Sequence, residues 1–130
     1  MSGALNRSSL SLSEMTWVSQ KVAEIKQHAA WNEKIDEVGS ERMLLNEAPF
    51  TFVFRPGKDM YHYFLSYVEA DGTIHHKQIR IELSANGWIY RNGGSCIRER
   101  IEDLVPVAIH TAPELCRPYR VLRAPIFSMN

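Results

Sequence analysis

Two dipeptides, Asp71-Gly72 and Asn86-Gly87, punctuate the middle of the chain. Glycine and asparagine accept the positive backbone φ that tight reversals require, so the apolar runs on either side of each dipeptide are expected to pair antiparallel. Those runs cover residues 50–55, 62–68, 73–83 and 88–90, and are rich in aromatic and β-branched side chains. The spacing predicts an antiparallel meander, followed by a loop at Asn92-Gly93-Gly94-Ser95.

Helical periodicity brackets the meander. Ser11 and Glu14 have capping-box spacing, and Val18, Val22, Ile25 and Ala29 recur along one helix face, which predicts an amphipathic helix over 11–30. A second, short helix is predicted over 36–46, with Val38, Met43, Leu44 and Leu45 available to the core. Ile101, Leu104, Val105, Ala108 and Ile109 predict a third over 99–110, kinked at Pro106, which has no amide hydrogen to donate. Residues 1–10 are small and polar, without periodicity, and read as a mobile N-terminus; 122–130 read as a C-terminal tail. The expected class is α+β, a central antiparallel sheet flanked by two helices, with an extra amphipathic helix in front.

Within this scheme Arg55 stands out. It ends the strand Phe50-Thr51-Phe52-Val53-Phe54-Arg55, where alternation puts it on the face of Thr51 and Val53, away from the three phenylalanines. Both faces are apolar enough to be buried, and a buried guanidinium is costly unless an anion compensates it. No Asp or Glu lies within the strand, so either a distant carboxylate or an anionic ligand must do so.

Composition narrows the partners. Fifteen Lys and Arg balance fifteen Asp and Glu in 130 residues, so the overall field does not favour nucleic acid or acidic membranes, and any anion site must be local. The two cysteines, Cys96 and Cys116, lie in no redox or metal motif, and no run approaches membrane-spanning length; a cytoplasmic, reducing compartment fits. His75-His76 invites a metal reading, but adjacent strand residues face opposite ways and do not easily chelate one ion, so no metal or cofactor is expected. Trp17, Trp31 and Trp88 read as core or helix-docking residues.

Six segments in register resemble the Src homology 2 (SH2) family: Glu41-Arg42-Met43-Leu44-Leu45-Asn46, Thr51-Phe52-Val53-Phe54-Arg55, Tyr63-Phe64-Leu65-Ser66, His76-Lys77-Gln78-Ile79, Glu102-Asp103-Leu104-Val105 and Leu115-Cys116. The resemblance spans Trp31 to Tyr119, within an expected domain of 31–121. It implies a noncatalytic module that binds tyrosine-phosphorylated proteins or peptides, with Arg55 gripping the phosphate. Lys58 and the amides of Lys58 and Asp59, in a loop curled at Gly57, would cradle it. His76 would lie across the sheet to orient the phosphotyrosine, with Gln78 on the same face. Lys77, Tyr90 and Leu115 fall on the positions that set peptide specificity.

The sequence departs from the family where a second phosphate donor is usual: Glu37 occupies the position of a helix arginine. Gly57, Lys58 and Asp59 replace the usual loop hydroxyls, and Gln78 stands where a lysine often flanks the ring. Such a reduced pocket is similar to those of SH2 domains in effectors secreted by intracellular bacteria, for which the compartment would be the host cytosol. Two alternatives follow: a degenerate domain that binds unphosphorylated proteins, and a small hydrolase using His75, His76 or His62 with a nearby Asp. The second lacks a nucleophile elbow, metal spacing or phosphate loop.

Overall fold

A computed structural model of the protein describes residues 10–91 and 95–119. Residues 1–9 of the expected N-terminal stretch 1–10, the loop residues 92–94 and the tail 122–130 lie outside them. Helix α1 (Leu12–Lys26) opens on a full capping box, in which Ser11 Oγ accepts from the Glu14 amide while the Glu14 carboxylate accepts from the Ser11 amide. It is shorter than the 11–30 periodicity implied, because the chain turns after Lys26 and Ala30 instead enters the core, where its carbonyl accepts from the Phe54 amide. Helix α2 (Glu37–Leu44) starts at Asp36, whose carboxylate accepts from the Gly39 amide at 2.8 Å.

The sheet follows: β1 (Thr51–Pro56), β2 (His62–Val68), β3 (Ile74–Glu82), β4 (Gly87–Arg91) and β5 (Ser95–Arg98). Helix α3 (Ile101–Ala108) comes next, and β6 (Arg117–Pro118) closes the sheet. The order across the sheet is β5-β4-β3-β2-β1-β6, with every pair antiparallel except β1 and β6. Phe50, expected in the first strand, has φ 72°, so β1 begins one residue later. Gly72 at φ 90° makes the expected reversal between β2 and β3. At Asn86-Gly87 the reversal is wider than a tight hairpin: a 3-10 turn, Leu83–Ala85, precedes Asn86 at φ 55°. Helix α3 is helical through Pro106, which sits in its last turn.

Strands β5 and β6 were not expected from sequence. The first is four residues long and follows a glycine pair; the second pairs through only Arg117 and Pro118 with a strand some sixty positions earlier, a contact that no local pattern encodes.

Alternation divides the core. Phe52, Phe54, Tyr63, Leu65, Ile79, Ile81, Trp88 and Tyr90 form one cluster with Ile101, Leu104 and Val105 of α3 and Ile25 of α1. The opposite face buries a small cluster, Val53 and Val68 under Leu44 of α2. Eight helical residues span about 12 Å, so α2 roofs only one end of its face. The other end, with Arg55, Phe64 and Gln78 in register across β1, β2 and β3, is left for the site.

The front helix is welded to the domain through Glu24. One of its carboxylate oxygens accepts from the Ile101 amide at 2.6 Å, and the other accepts from Trp88 Nε1 and Lys21 Nζ, each at 3.2 Å. Lys21 also donates to the Glu99 carbonyl. Arg100, the N-cap of α3, makes no side-chain cap, so Glu24 supplies the anion from another helix. Glu24→Ala is expected to destabilise the protein by about 1–3 kcal/mol, since it strands the buried indole N–H and an uncapped amide. Glu24→Gln, which keeps an acceptor, is expected to cost less in urea denaturation. Equal midpoints for wild type and Glu24→Ala would show that α1 does not anchor α3.

Candidate functional site

Arg55 is 5% exposed at the end of β1. No carboxylate touches it among the described residues. Its Nε donates to Ser66 Oγ at 3.0 Å, its Nη2 lies 3.2 Å from His76 Nδ1, and the guanidinium stacks 4.4 Å above the centroid of the Phe64 ring. Burial pulls the guanidinium below its ordinary pKa, while the carboxylates of Glu37, Asp36 and Glu41 act in the opposite sense from a distance. A cation held this way has fixed geometry and no ion pair of its own. Stacking on an aromatic face and donation to neutral acceptors hold its plane without consuming its charge.

Hydrogen bonding sets the His76 tautomer. Arg55 can only donate, so His76 Nδ1 accepts from Arg55 and from the Ser66 hydroxyl, 2.8 Å away. The remaining ring nitrogen, Nε2, then carries the hydrogen and donates to Glu41 Oε2 at 2.8 Å. Glu37 Oε2 lies 3.9 Å from the same nitrogen. A relay therefore runs from Arg55 through Ser66 and His76 to Glu41 on α2.

The loop after β1 behaves differently from a simple cradle. Gly57 donates its amide to the His62 carbonyl at 3.0 Å, and a Cβ at Gly57 would fall 2.4 Å from that oxygen. Only glycine fits this approach. Asp59 turns back on its own loop: its Oδ1 accepts from the Tyr61 amide at 3.0 Å and bonds His62 Nδ1 at 2.6 Å, which holds the Asp59 carboxyl below its usual range. The amides of Lys58 and Asp59 have no hydrogen-bond acceptor among the described residues. Gly57→Ala is expected to destabilise the fold by about 1–3 kcal/mol, because backbone rather than a side-chain tip must give way. A thermal melt of the variant matching wild type would contradict that contact.

A groove of about 590 Å³ is lined among others by Lys58, His62, His76, Gln78 and Arg80; Arg55 does not line it, and is linked to its wall through His76. The structure thus brings Lys58, His76 and Gln78 to one groove, with His76 in contact with Arg55, while the Asp59 side chain is occupied by His62. Lys77 points to the other face, where its ammonium donates to the Tyr90 hydroxyl at 2.6 Å and to the Ala108 carbonyl at the end of α3 at 2.8 Å. Both residues also reach the groove wall, but Leu115 does not line it and sits 44% exposed in the turn Pro113–Leu115. His75 stacks on Tyr67 on the α3 face, with ring centroids 5.7 Å apart, opposite to His76.

Three residues of the site escaped the sequence reading: Ser66, Phe64 and Glu41. Phe64 and Ser66 share the parity of Arg55 once the β1–β2 register is known, but register depends on the turn between them. Glu41 did carry a signal, since it stands four positions after Glu37 and so on the same helix face.

No protein-family model matches the sequence, and no curated protein matches it. The fold does match solved structures. The SH2 domain of a Monosiga brevicollis CRK/CRKL homologue superposes with a TM-score of 0.52 at 17% identity, covering 73% of this chain and 86% of that one. The VAV1 SH2 domain complexed with a tyrosine-phosphorylated peptide from SLP76 gives 0.51 at 17% identity, covering 76% and 77%. The SH2 domain of human proto-oncogene protein VAV1 gives 0.49 at 20% identity; there the match covers 64% of this chain and spans only 57% of the other. A sheet between α2 and α3 agrees with the first two of these superpositions, and the described chain has an SH2-like α+β fold.

Proposed function

We propose that the protein is a noncatalytic binding module for tyrosine-phosphorylated proteins, with Arg55 as the phosphate anchor. The observation that carries this reading is the state of Arg55: buried, oriented by Ser66, His76 and Phe64, and without a carboxylate in contact among the described residues. A phosphotyrosine brings roughly −1.5 to −2 charges near neutral pH and acceptor oxygens that match a planar guanidinium. Lys58 and the free loop amides at Lys58 and Asp59 provide further donors beside the groove, and Gln78 lines its wall. The specificity roles of Lys77, Tyr90 and Leu115 are part of the same proposal. So is the absence of catalysis, and no helix among the described residues is long and apolar enough to cross a membrane.

A second reading has its own support. Glu37 and Glu41 lie beside His76, and carboxylates there oppose a phosphate. A domain that binds unphosphorylated protein would tolerate them. Fluorescence polarisation against a degenerate phosphotyrosine peptide pool and its unphosphorylated twin separates the two. Phosphate-dependent binding is expected, and equal affinity for both pools would favour the second reading.

A further inference from the structure

Strand β3 runs for nine residues, and its two edges are covered unequally. β2 pairs with it from Ile74 to Arg80, whereas β4 pairs with it only from Ile79 to Glu82. Among the described residues, 74–78 therefore have a neighbouring strand on one side alone. Backbone groups turn alternately to the two sides along a strand. The Ile81 amide donates to the Tyr61 carbonyl and the Thr73 carbonyl accepts from the Glu69 amide, so the odd-numbered residues turn their backbone to β2. Ile74 and His76 turn theirs the other way, where neither has a backbone partner among the described residues. An unpaired edge of this kind is a template for one more strand.

The chemistry beside the edge says what that strand should carry. His76, Lys77 and Gln78 of the edge line the groove together with Tyr90 of β4. The charge of the groove is one-sided: Lys58, Lys77 and Arg80 line it and no Asp or Glu does, in a chain whose acids and bases balance. Arg80 already pairs with Glu82 at 3.1 Å. Lys58 and Lys77 make no ion pair among the described residues, and the two acceptors that hold the Lys77 ammonium, the Tyr90 hydroxyl and the Ala108 carbonyl, are neutral. The complement of such a groove is an acidic peptide.

We propose that the open edge of β3 takes up, as an added strand, an acidic peptide segment that flanks the phosphotyrosine. This rests on the reading of the Arg55 pocket given above. Side chains of an added strand face the two sides of the sheet in turn. A phosphotyrosine opposite His76 points to the face of Arg55, because His76 reaches the guanidinium on that face. Its neighbour opposite Lys77 points to the α3 face, where the Lys77 ammonium lies, and an Asp or Glu there supplies the missing anion. The next residue, opposite Gln78, returns to the first face, which Arg80 shares by parity. Pairing with β4 begins at Ile79, so the added strand stops there and the acidic selection is confined to the one or two residues beside the phosphotyrosine.

The test compares phosphotyrosine peptides by fluorescence polarisation on the full 130-residue chain, and its two main comparisons change only the peptide. In the first, two Glu residues flank the phosphotyrosine on each side, against two Gln residues. The Glu peptide is expected to bind roughly fivefold tighter at low salt, with the gap narrowing as salt rises and most of it lost in Lys77→Gln. In the second, the Glu peptide is N-methylated on alternate backbone amides, in each of the two possible phases. One phase is expected to weaken binding by about tenfold and the other to leave it nearly unchanged, because only every second amide of an added strand meets β3. Equal affinity for the Glu and Gln peptides overturns the acidic selection, and equal losses in the two phases overturn the added strand; in either case, binding that still requires the phosphate leaves the Arg55 reading standing. No binding of any of these phosphopeptides overturns both.

Discussion

Arg55→Ala is expected to weaken phosphotyrosine peptide binding by about 2–5 kcal/mol, the range for removing one partner of a buried charge pair. That corresponds to a loss of roughly 30-fold to a few thousandfold in Kd. Arg55→Lys should fall between the two, because an ammonium keeps the charge but cannot offer the planar fork of donors. The effect on stability is expected to have a different sign. In the unliganded protein the guanidinium is buried against Phe64 with no carboxylate in contact among the described residues, and its desolvation is only partly offset. Arg55→Met, which keeps the bulk over Phe64, is therefore expected to leave the urea midpoint unchanged or raised while abolishing phosphopeptide binding. This combination separates a binding residue from a structural one. An unchanged Kd in Arg55→Ala would sink the phosphate-anchor reading, and a large loss of stability in Arg55→Met would assign Arg55 to the core.

The largest expected stability effect lies on the opposite face. Trp88 is fully buried, packs edge-on against Tyr63 with ring centroids 5.7 Å apart, and donates its indole N–H to Glu24. Trp88→Ala empties the volume between β4, α1 and α3 and removes that bond. A cost of about 3–5 kcal/mol is expected, a large part of the roughly 5–15 kcal/mol that holds a typical domain together. Trp88→Phe keeps most of the ring and loses the donor, and should cost about 1–2 kcal/mol. Urea denaturation followed by circular dichroism reads both. A loss below about 1 kcal/mol for Trp88→Ala would mean that the cavity collapses and that the junction of front helix and sheet is not tightly packed.

The two predictions differ in how far the sequence anticipated them. Arg55 was visible because a charge at the end of a phenylalanine-rich strand breaks the pattern around it, and breaks of that kind are local. Trp88 was legible only as a buried aromatic. Its bond to Glu24 joins residues 64 positions apart and has no sequence signature.

Strand parity, the capping box of α1 and the φ-tolerant residues at the β2–β3 and β3–β4 reversals are properties of neighbouring residues, so the sequence by itself determined them. It likewise determined that Arg55 shares a face with Val53 and that His75 and His76 part company across the sheet. Whether Arg55 meets a carboxylate depends on where a short helix lies over the sheet and in which register β2 and β3 pair with β1. Tertiary structure decided that α2 covers the Val53 end of its face, and that Ser66 and His76 fall within hydrogen-bonding distance of the guanidinium. It also brought Glu37 and Glu41 to His76, 35 or more positions away along the chain. Such contacts come from packing one element on another, and a single sequence encodes them only through the fold they share.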